Sequence, residues 1–241
     1  VIDTPGVNSL VPMSEDERVT RDMLLTDKPG VIVQVADTKN LRRGLLITIQ
    51  LAEMEVPFLL DLNMDDEARS RGIVIDQDKL SELIGVEVVK TVAIRKSGID
   101  RLLKGITNPR QSTIRVRYDQ EIERGISNIL PLLPEAHIAR RSLALMLLAG
   151  DESLKSWLHA HLSDTVISEI ERIRQEVQTR YNNSLGYLIN QQRLKSADRL
   201  LAEVMTRFEA GKGSHIAQRI GALSMHPLFG IPILLAVLFL V

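Results

Sequence analysis

Three short stretches carry side chains that could act together on a nucleotide. The first is Asp3-Thr4-Pro5-Gly6. A carboxylate at a strand end can hold Mg2+ through water, and a glycine lets its backbone N–H approach a terminal phosphate with no side chain in the way. The second is Asn63-Met64-Asp65-Asp66. The Asp66 carboxylate can accept hydrogen bonds from the N1–H and the exocyclic amine of guanine, whereas adenine presents an acceptor at N1 and no amine at that edge. Each such charge-assisted bond contributes roughly 1.5 to 3 kcal/mol, so the contact selects the base. Asn63 would use its amide to tie this loop to the phosphate side and reach the purine. The third is Thr91-Val92-Ala93, where backbone N–H groups of a small-residue turn could meet the guanine carbonyl. Taken singly, the first also reads as an ordinary Pro-Gly turn, and the second as an acidic N-cap for the helix that follows. Order and spacing bind them into a set: 60 positions separate Asp3 from Asn63, and 28 separate Asn63 from Thr91.

Each stretch follows an expected strand. Val1-Ile2 reads as a strand end running into Asp3. Val31 to Ala36 is a β-branched run ending at Asp37, Pro57 to Leu62 is a second, and Val86 to Val92 a third. Between them, Leu41 to Met54 carries apolar residues at helical spacing. Asp76 is placed to cap a helix with Leu80, Leu83 and Ile84 inward and Gly85 as its stop. Strands alternating with helices mean an α/β unit with a mainly parallel sheet, in which ligands gather at the carboxyl ends of the strands. From about Asn108 the pattern turns to helix only. Its apolar faces are Ile122, Ile126, Ile129 and Leu130; Leu143, Leu147 and Leu148; Val166, Ile167, Ile170, Ile173, Val177 and Tyr181; and Leu194, Leu200, Leu201 and Val204. Asn108-Pro109 marks the boundary, and residues 210–214 read as a turn or short linker.

Composition narrows the function further. The 241 residues are 44% hydrophobic, enough for one large core or two smaller ones. Thirty Lys and Arg against 31 Asp and Glu leave a formal charge of -1, which offers no field to hold a polyanion, so no nucleic-acid partner is expected. With no cysteine there is no disulfide, thiolate metal site or cysteine nucleophile in this stretch. Asp3 and the run Ser14-Glu15-Asp16-Glu17 stand where a secretory signal would be apolar; that acidic run reads as a solvated surface. The five histidines are scattered, and His159 with His161 read as polar positions of one exposed helix. From Pro227 the chain runs PLFGIPILLAVLFLV without a charge, the expected beginning of a membrane-spanning helix, with Lys212, Arg219 and His226 before it placing the preceding part in the cytoplasm. Both ends read as cut. Gly211-Lys212-Gly213-Ser214 mimics a phosphate loop but has Thr206 and Gly213 where Gly and Ser or Thr are needed, and follows a helix.

Together the three loops resemble the third, fourth and fifth loops of a translation-factor-type GTPase. The whole chain resembles the cytoplasmic part and first membrane entry of the ferrous iron transport protein B (FeoB) family. Beyond the loops the likeness rests on Glu67-Ala68, Gly98-Ile99, Tyr118 with Glu121 and Glu123, Leu143-Ala144, Leu147-Leu148, Gly150-Asp151-Glu152, Arg180-Tyr181, and His226-Pro227 with Gly230-Ile231-Pro232. The resemblance implies a P-loop-type GTPase domain at 1–108 lacking its phosphate loop and first switch, a helical domain at 109–224 that modulates nucleotide release, and the start of a transmembrane helix at 225–241. The phosphate loop, of the form GxxxxGK with Ser or Thr next, is expected upstream of Val1.

The implied ligands are GTP or GDP, held by Asp3, Thr4, Pro5, Gly6, Asn63, Met64, Asp65, Asp66, Thr91, Val92 and Ala93, with Mg2+ reached from Asp3 through water. Fe2+ is cargo carried by membrane segments beyond this stretch. The implied partners are the bilayer of a bacterial inner membrane, small Feo accessory proteins and further copies of the chain. In Ras-like enzymes a Gln after the glycine orients the attacking water; here Val7 cannot, so hydrolysis is expected to be slow. Two alternatives stay open: a soluble GTPase of ribosome or tRNA maturation, and a nucleotide-free, membrane-tethered interaction module.

Overall fold

The computed structural model describes residues 1–7, 9–10, 15–27, 29–208, 231 and 239. Its α/β half is built on three parallel strands, β1 (Ile32–Asp37), β2 (Phe58–Asn63) and β4 (Val88–Lys90), in the order β1-β2-β4. Ile32 pairs with Phe58 through to Asp37 with Asn63, and Leu60 to Leu62 pair with Val88 to Lys90. The central strand reads Phe-Leu-Leu-Asp-Leu-Asn and is buried on both faces, which is why it carries no polar alternation. Helix α2 (Leu41–Met54) lies against β1 closely enough that a Cβ on Gly44 would stand 2.7 Å from the Ala36 Cβ. It ends on Glu55 in the left-handed region (φ 54°). Two short helices complete this half around a three-residue strand β3 (Ile73–Ile75): α3 (Asp65–Ser70) before it and α4 (Gln77–Ile84) after it. Asp76 caps α4 through the Lys79 N–H, and Gly85 (φ 75°) ends it, as expected.

Helix α5 (Ile99–Ile106) closes the α/β half, and an extended segment leads to helices α6 (Gln120–Ile129), α7 (Arg140–Leu148), α8 (Lys155–His161), α9 (Asp164–Gln178) and α10 (Leu185–Val204). Residues Ser142 to Leu148 of α7 are all buried, so this helix is the hub on which its neighbours pack. The expected faces of α6, α7 and α9 are those turned inward: Ile122, Ile126 and Ile129, Leu143 and Leu148, and Ile170, Ile173 and Val177 are buried. His159 and His161 are exposed on α8, and among the described residues no group of three or more His, Asp or Glu could hold a metal.

Five expectations need correction. Val1 and Ile2 form no strand; they are exposed, and residues 1–7 are irregular. A strand needs a hydrogen-bonding neighbour, and these two residues pair with none. Strand β4 is shorter than the run from Val86 to Val92, because the chain turns at Thr91. Glu17 is buried, not solvated, because α1 (Glu15–Thr26) turns positions 17, 20, 21, 24 and 25 inward as one helical stripe. The buried face of α10 is Leu185, Ile189, Arg193, Ala197 and Val204, while Leu194, Leu200 and Leu201 are only half-buried. The helix-only expectation for the second half also fails at its end, where β5 (Met205–Arg207) returns to pair antiparallel with β3. The linker at 210–214 lies outside the described residues, as does the apolar run from Pro227 apart from Ile231 and Phe239. Among the described residues no helix is long and apolar enough to cross a membrane.

Arg193 joins the two halves. Its guanidinium meets Glu53 of α2 at 2.9 Å (Nε) and 2.7 Å (Nη2), with both side chains almost wholly buried, and the Tyr118 hydroxyl donates to the other Glu53 oxygen. A buried charge stripped of its partner is expensive. Arg193→Met is therefore expected to destabilise the chain by about 3 to 5 kcal/mol in urea unfolding, and the double change with Glu53→Leu by clearly less; a loss under about 1 kcal/mol for Arg193→Met alone would contradict the pairing.

Asp61 is a second buried charge, on the central strand. Burial raises its carboxyl above the usual aspartate range, and the Thr91 hydroxyl bond at 2.8 Å works the other way. A carboxyl raised in the folded state favours folding while protonated, and that contribution fades as pH climbs through its folded pKa. Asp61→Asn keeps an acceptor for Thr91 and is expected to be as stable as the parent or more so at pH 7. The parent should lose ground to it in thermal unfolding from about pH 4 upward. A loss at pH 7 above about 1 kcal/mol in Asp61→Asn would contradict this.

Candidate functional site

The carboxyl ends of β1, β2 and β4 lie side by side, since Asp37 pairs with Asn63 and Leu62 with Lys90. Asn63 is the junction of the loops that leave them. Its side-chain oxygen accepts from the Ala93 N–H at 3.2 Å, from the Thr91 hydroxyl at 3.3 Å and from the Met64 N–H at 2.8 Å. Its backbone carbonyl accepts from the Thr38 hydroxyl at 2.6 Å. Further backbone bonds stitch the loops: Thr91 N–H to the Leu62 carbonyl at 3.0 Å, and Asp65 N–H to the Thr91 carbonyl at 3.4 Å. The second and third stretches are thus one unit, with Asn63 holding the third loop as well as its own.

Local conformation shapes this unit. Met64 sits in the left-handed region (φ 62°) at the N-terminal edge of α3, a conformation that strains a non-glycine residue by about 1 to 2 kcal/mol and turns Asp65, Asp66 and Glu67 into the first turn of the helix. The third loop folds back on itself through Val92 and Ser97, with Ala93–Arg95 as a short 3-10 turn between them. Gly98 (φ 82°) makes the return possible, since a Cβ there would fall 2.2 Å from the Lys90 carbonyl oxygen.

Asp66 keeps its carboxylate half-exposed. One oxygen accepts from the Glu67 N–H at 2.9 Å, and the other faces the Arg95 guanidinium at 3.4 Å. Asp65 turns the other way, taking Arg69 at 2.7 Å and standing 3.6 Å from the Lys90 ammonium. Of the two adjacent carboxylates, Asp66 is the one left to meet a donor edge from solvent.

The first stretch stands apart. Asp3, Thr4, Pro5 and Gly6 are exposed, and among the described contacts the Thr20 hydroxyl reaches the Pro5 carbonyl at 3.5 Å while no hydrogen bond or ion pair joins residues 3–6 to the other loops. The backbone at Gly6 is uncrowded, with no atom within 4 Å of a Cβ built there. Val7 is half-buried against the core, an aliphatic contact that offers nothing to a water molecule.

Sequence reasoning missed the loop after β1. Asp37 caps its short turn through the Lys39 N–H at 3.0 Å, and Lys39 pairs with Glu67 and approaches the Met64 sulfur at 3.5 Å. The signal was present: Asp37-Thr38-Lys39 occupies the carboxyl end of a parallel strand, the same location that drew attention to the other loops. Lys90 was missed because a single charged residue at a strand end carries no pattern.

Comparison with known proteins places the chain. The family profile described as ferrous iron transport protein B matches residues 1–106, and that described as the FeoB cytosolic helical domain matches residues 118–206. The Fe(2+) transporter FeoB of Staphylococcus aureus is 28% identical over 250 residues, covering all of this chain and 37% of the relative. A Fe(2+) transport protein A/Fe(2+) transporter FeoB fusion protein of Porphyromonas gingivalis is 30% identical over 170 residues, 66% of this chain and 20% of the relative. Among solved structures, a GDP-bound mutant of the S. thermophilus FeoB G-domain superposes with a TM-score of 0.73 at 31% identity, covering 85% of this chain and 80% of that one. The chain thus spans little more than a third of the length of the S. aureus relative. In sequence and in fold, this chain belongs to the ferrous iron transport protein B (FeoB) family.

Proposed function

We propose that this chain is the guanine-nucleotide-binding, cytoplasmic portion of a ferrous iron transporter of the bacterial inner membrane, in which GTP binding and hydrolysis are coupled to Fe2+ uptake. The observation that carries the reading is the Asn63 junction. One side chain locks together the loop that presents Asp66 and the loop that presents the Thr91, Val92 and Ala93 backbone, as recognition of one purine from two sides requires. The GDP in the S. thermophilus G-domain and the Fe(2+) transporter description of the S. aureus relative supply the ligand and the cargo of this reading.

In it, residues 1–108 form the nucleotide domain, 109–224 the helical domain that modulates release, and 225–241 the entry to the bilayer. Asp66 accepts from the guanine N1–H and amine, exchanging its present contact with the exposed Arg95. Asn63 and Met64 hold the purine side of the loop, Asp65 braces α3 from within, and Thr91, Val92 and Ala93 face the base carbonyl. Asp3, with Thr4, Pro5 and Gly6, serves the phosphate end. Among the described residues no further acidic group joins the exposed Asp3 carboxylate in a metal-binding cluster, which fits a Mg2+ met through water rather than a direct ligand cage, and the magnesium when bound would neutralise phosphate charge there. With Val7 packed on the core, no side chain at that position orients water, so turnover is slow and rests on other groups. The P. gingivalis fusion argues for a small Fe(2+) transport protein A-type partner, and self-association of the transporter is part of the same proposal.

Asp66→Asn in the full-length protein tests the base assignment. Losing one or both charged hydrogen bonds should weaken GDP binding by about 100-fold, and xanthosine diphosphate, whose altered edge suits an amide, should gain affinity. Unchanged GDP affinity in calorimetry would contradict the assignment.

A further inference from the structure

We infer that Lys90 fastens both base-reading loops to the β3–β5 ribbon, and that through this ribbon the chain leaving the helical half sets how long the nucleotide stays bound. The inference rests on the guanine-nucleotide reading above. Lys90 is largely buried; its ammonium donates to the Ile75 carbonyl at 2.6 Å and stands 3.6 Å from Asp65 Oδ1. Among the described residues that buried carboxylate oxygen accepts no hydrogen bond; the Lys90 charge stands beside it, while Arg69 takes the other oxygen at 2.7 Å. Lys90 immediately precedes Thr91, and Asp65 immediately precedes Asp66. One ammonium thus touches the root of each base-reading loop and the last carbonyl of β3.

β3 in turn is tied to the end of the helical half. It follows α3 after only Arg71 and Gly72, and α10 passes into β5 with no intervening residue. The ribbon pairs Ile73 with Arg207, Val74 with Thr206 and Ile75 with Met205. Its ends are closed by the Asp76 N–H on the Val204 carbonyl at 2.8 Å and the Phe208 N–H on the Gly72 carbonyl at 2.9 Å, while the Lys79 ammonium reaches the Glu203 carbonyl at 3.0 Å. A displacement of α10 must therefore either carry β3 with it or break these bonds. Two strands of three residues are only marginally stable by themselves, which makes the ribbon a tie that can detach. Attached, it holds Lys90 and both loops in the base-reading arrangement; detached, it frees them and releases the nucleotide.

A cross-link tests this in a single sample. Gly72 with Phe208 and Asp76 with Val204 are hydrogen-bonded pairs, so Ile73 and Arg207 form a non-hydrogen-bonded pair, with Cα atoms about 4.5 Å apart, as a disulfide requires. The chain has no cysteine of its own. In the full-length protein carrying Ile73→Cys and Arg207→Cys, with single-cysteine variants as controls, release of a fluorescent GDP analogue would be followed by stopped flow before and after reduction. The cross-linked form is expected to release about fivefold more slowly or less, and reduction to restore the parent rate. Lys90→Met is expected to speed release about tenfold, and Lys90→Arg to stay within about twofold of the parent. Equal rates in the linked and reduced forms, with the link verified by mass, would overturn the inference alone. Absence of analogue binding to the parent protein would overturn the guanine-nucleotide reading, and this inference with it.

Discussion

The arrangement of the loops depends on one side-chain oxygen. Asn63 Oδ1 takes the Ala93 N–H, the Thr91 hydroxyl and the Met64 N–H, and the backbone carbonyl of the same residue takes Thr38. An amide is suited to this place because it accepts without carrying charge; an aspartate here would add a second carboxylate beside Asp61, two residues back on the same face of β2. The buried sheet fixes where that oxygen stands. β2 is the middle strand, paired on both sides, so Asn63 cannot shift without breaking register with Asp37 or with the strand ending at Lys90.

Charge buried between the halves extends this constraint across the molecule. On α2, Gln50 accepts from the Leu10 N–H at 2.8 Å, and one turn on Glu53 meets Arg193 of α10 and the Tyr118 hydroxyl. On α1, Arg21 is completely buried and reaches Asp151 at 2.6 Å and the Ser153 hydroxyl at 2.8 Å, both just past the end of α7. The negative end of α7 favours a guanidinium there. Helix α1, which follows the proposed phosphate-sensing stretch, is therefore held to the helical half by the two contacts of Arg21, while Leu10 is held to α2 of the α/β half. In this account the helical half responds to the nucleotide because those contacts leave it little freedom to stand still when α1 moves.

What the sequence disclosed and what it hid divide along physical lines. The strands at Val31–Ala36 and Pro57–Leu62 and the helix capped by Asp76 were legible because β-branched runs and capping chemistry act within a few residues. The grouping of Asn63 with Thr91 was legible because both follow strands of one parallel sheet. β3 and β5 were not, since each is three residues long and finds its partner 130 or more positions away. Arg193 gave no local sign of burial because its partner Glu53 lies 140 positions distant, and periodicity pointed to Leu194, Leu200 and Leu201 instead. Glu17 misled for the same reason: a carboxylate in an acidic run gives no local sign that its helix turns it inward.

Hydrogen–deuterium exchange on the full-length protein tests the central claim most directly, that guanine is read at the Asn63 junction and felt in the helical half. GDP, and not ADP, should protect the Ala93 amide and residues 64–66, and should alter exchange in residues 72–76 and across α10 and β5. Equal exchange with both nucleotides, or protection confined to the loops with 110–208 unchanged, would contradict it.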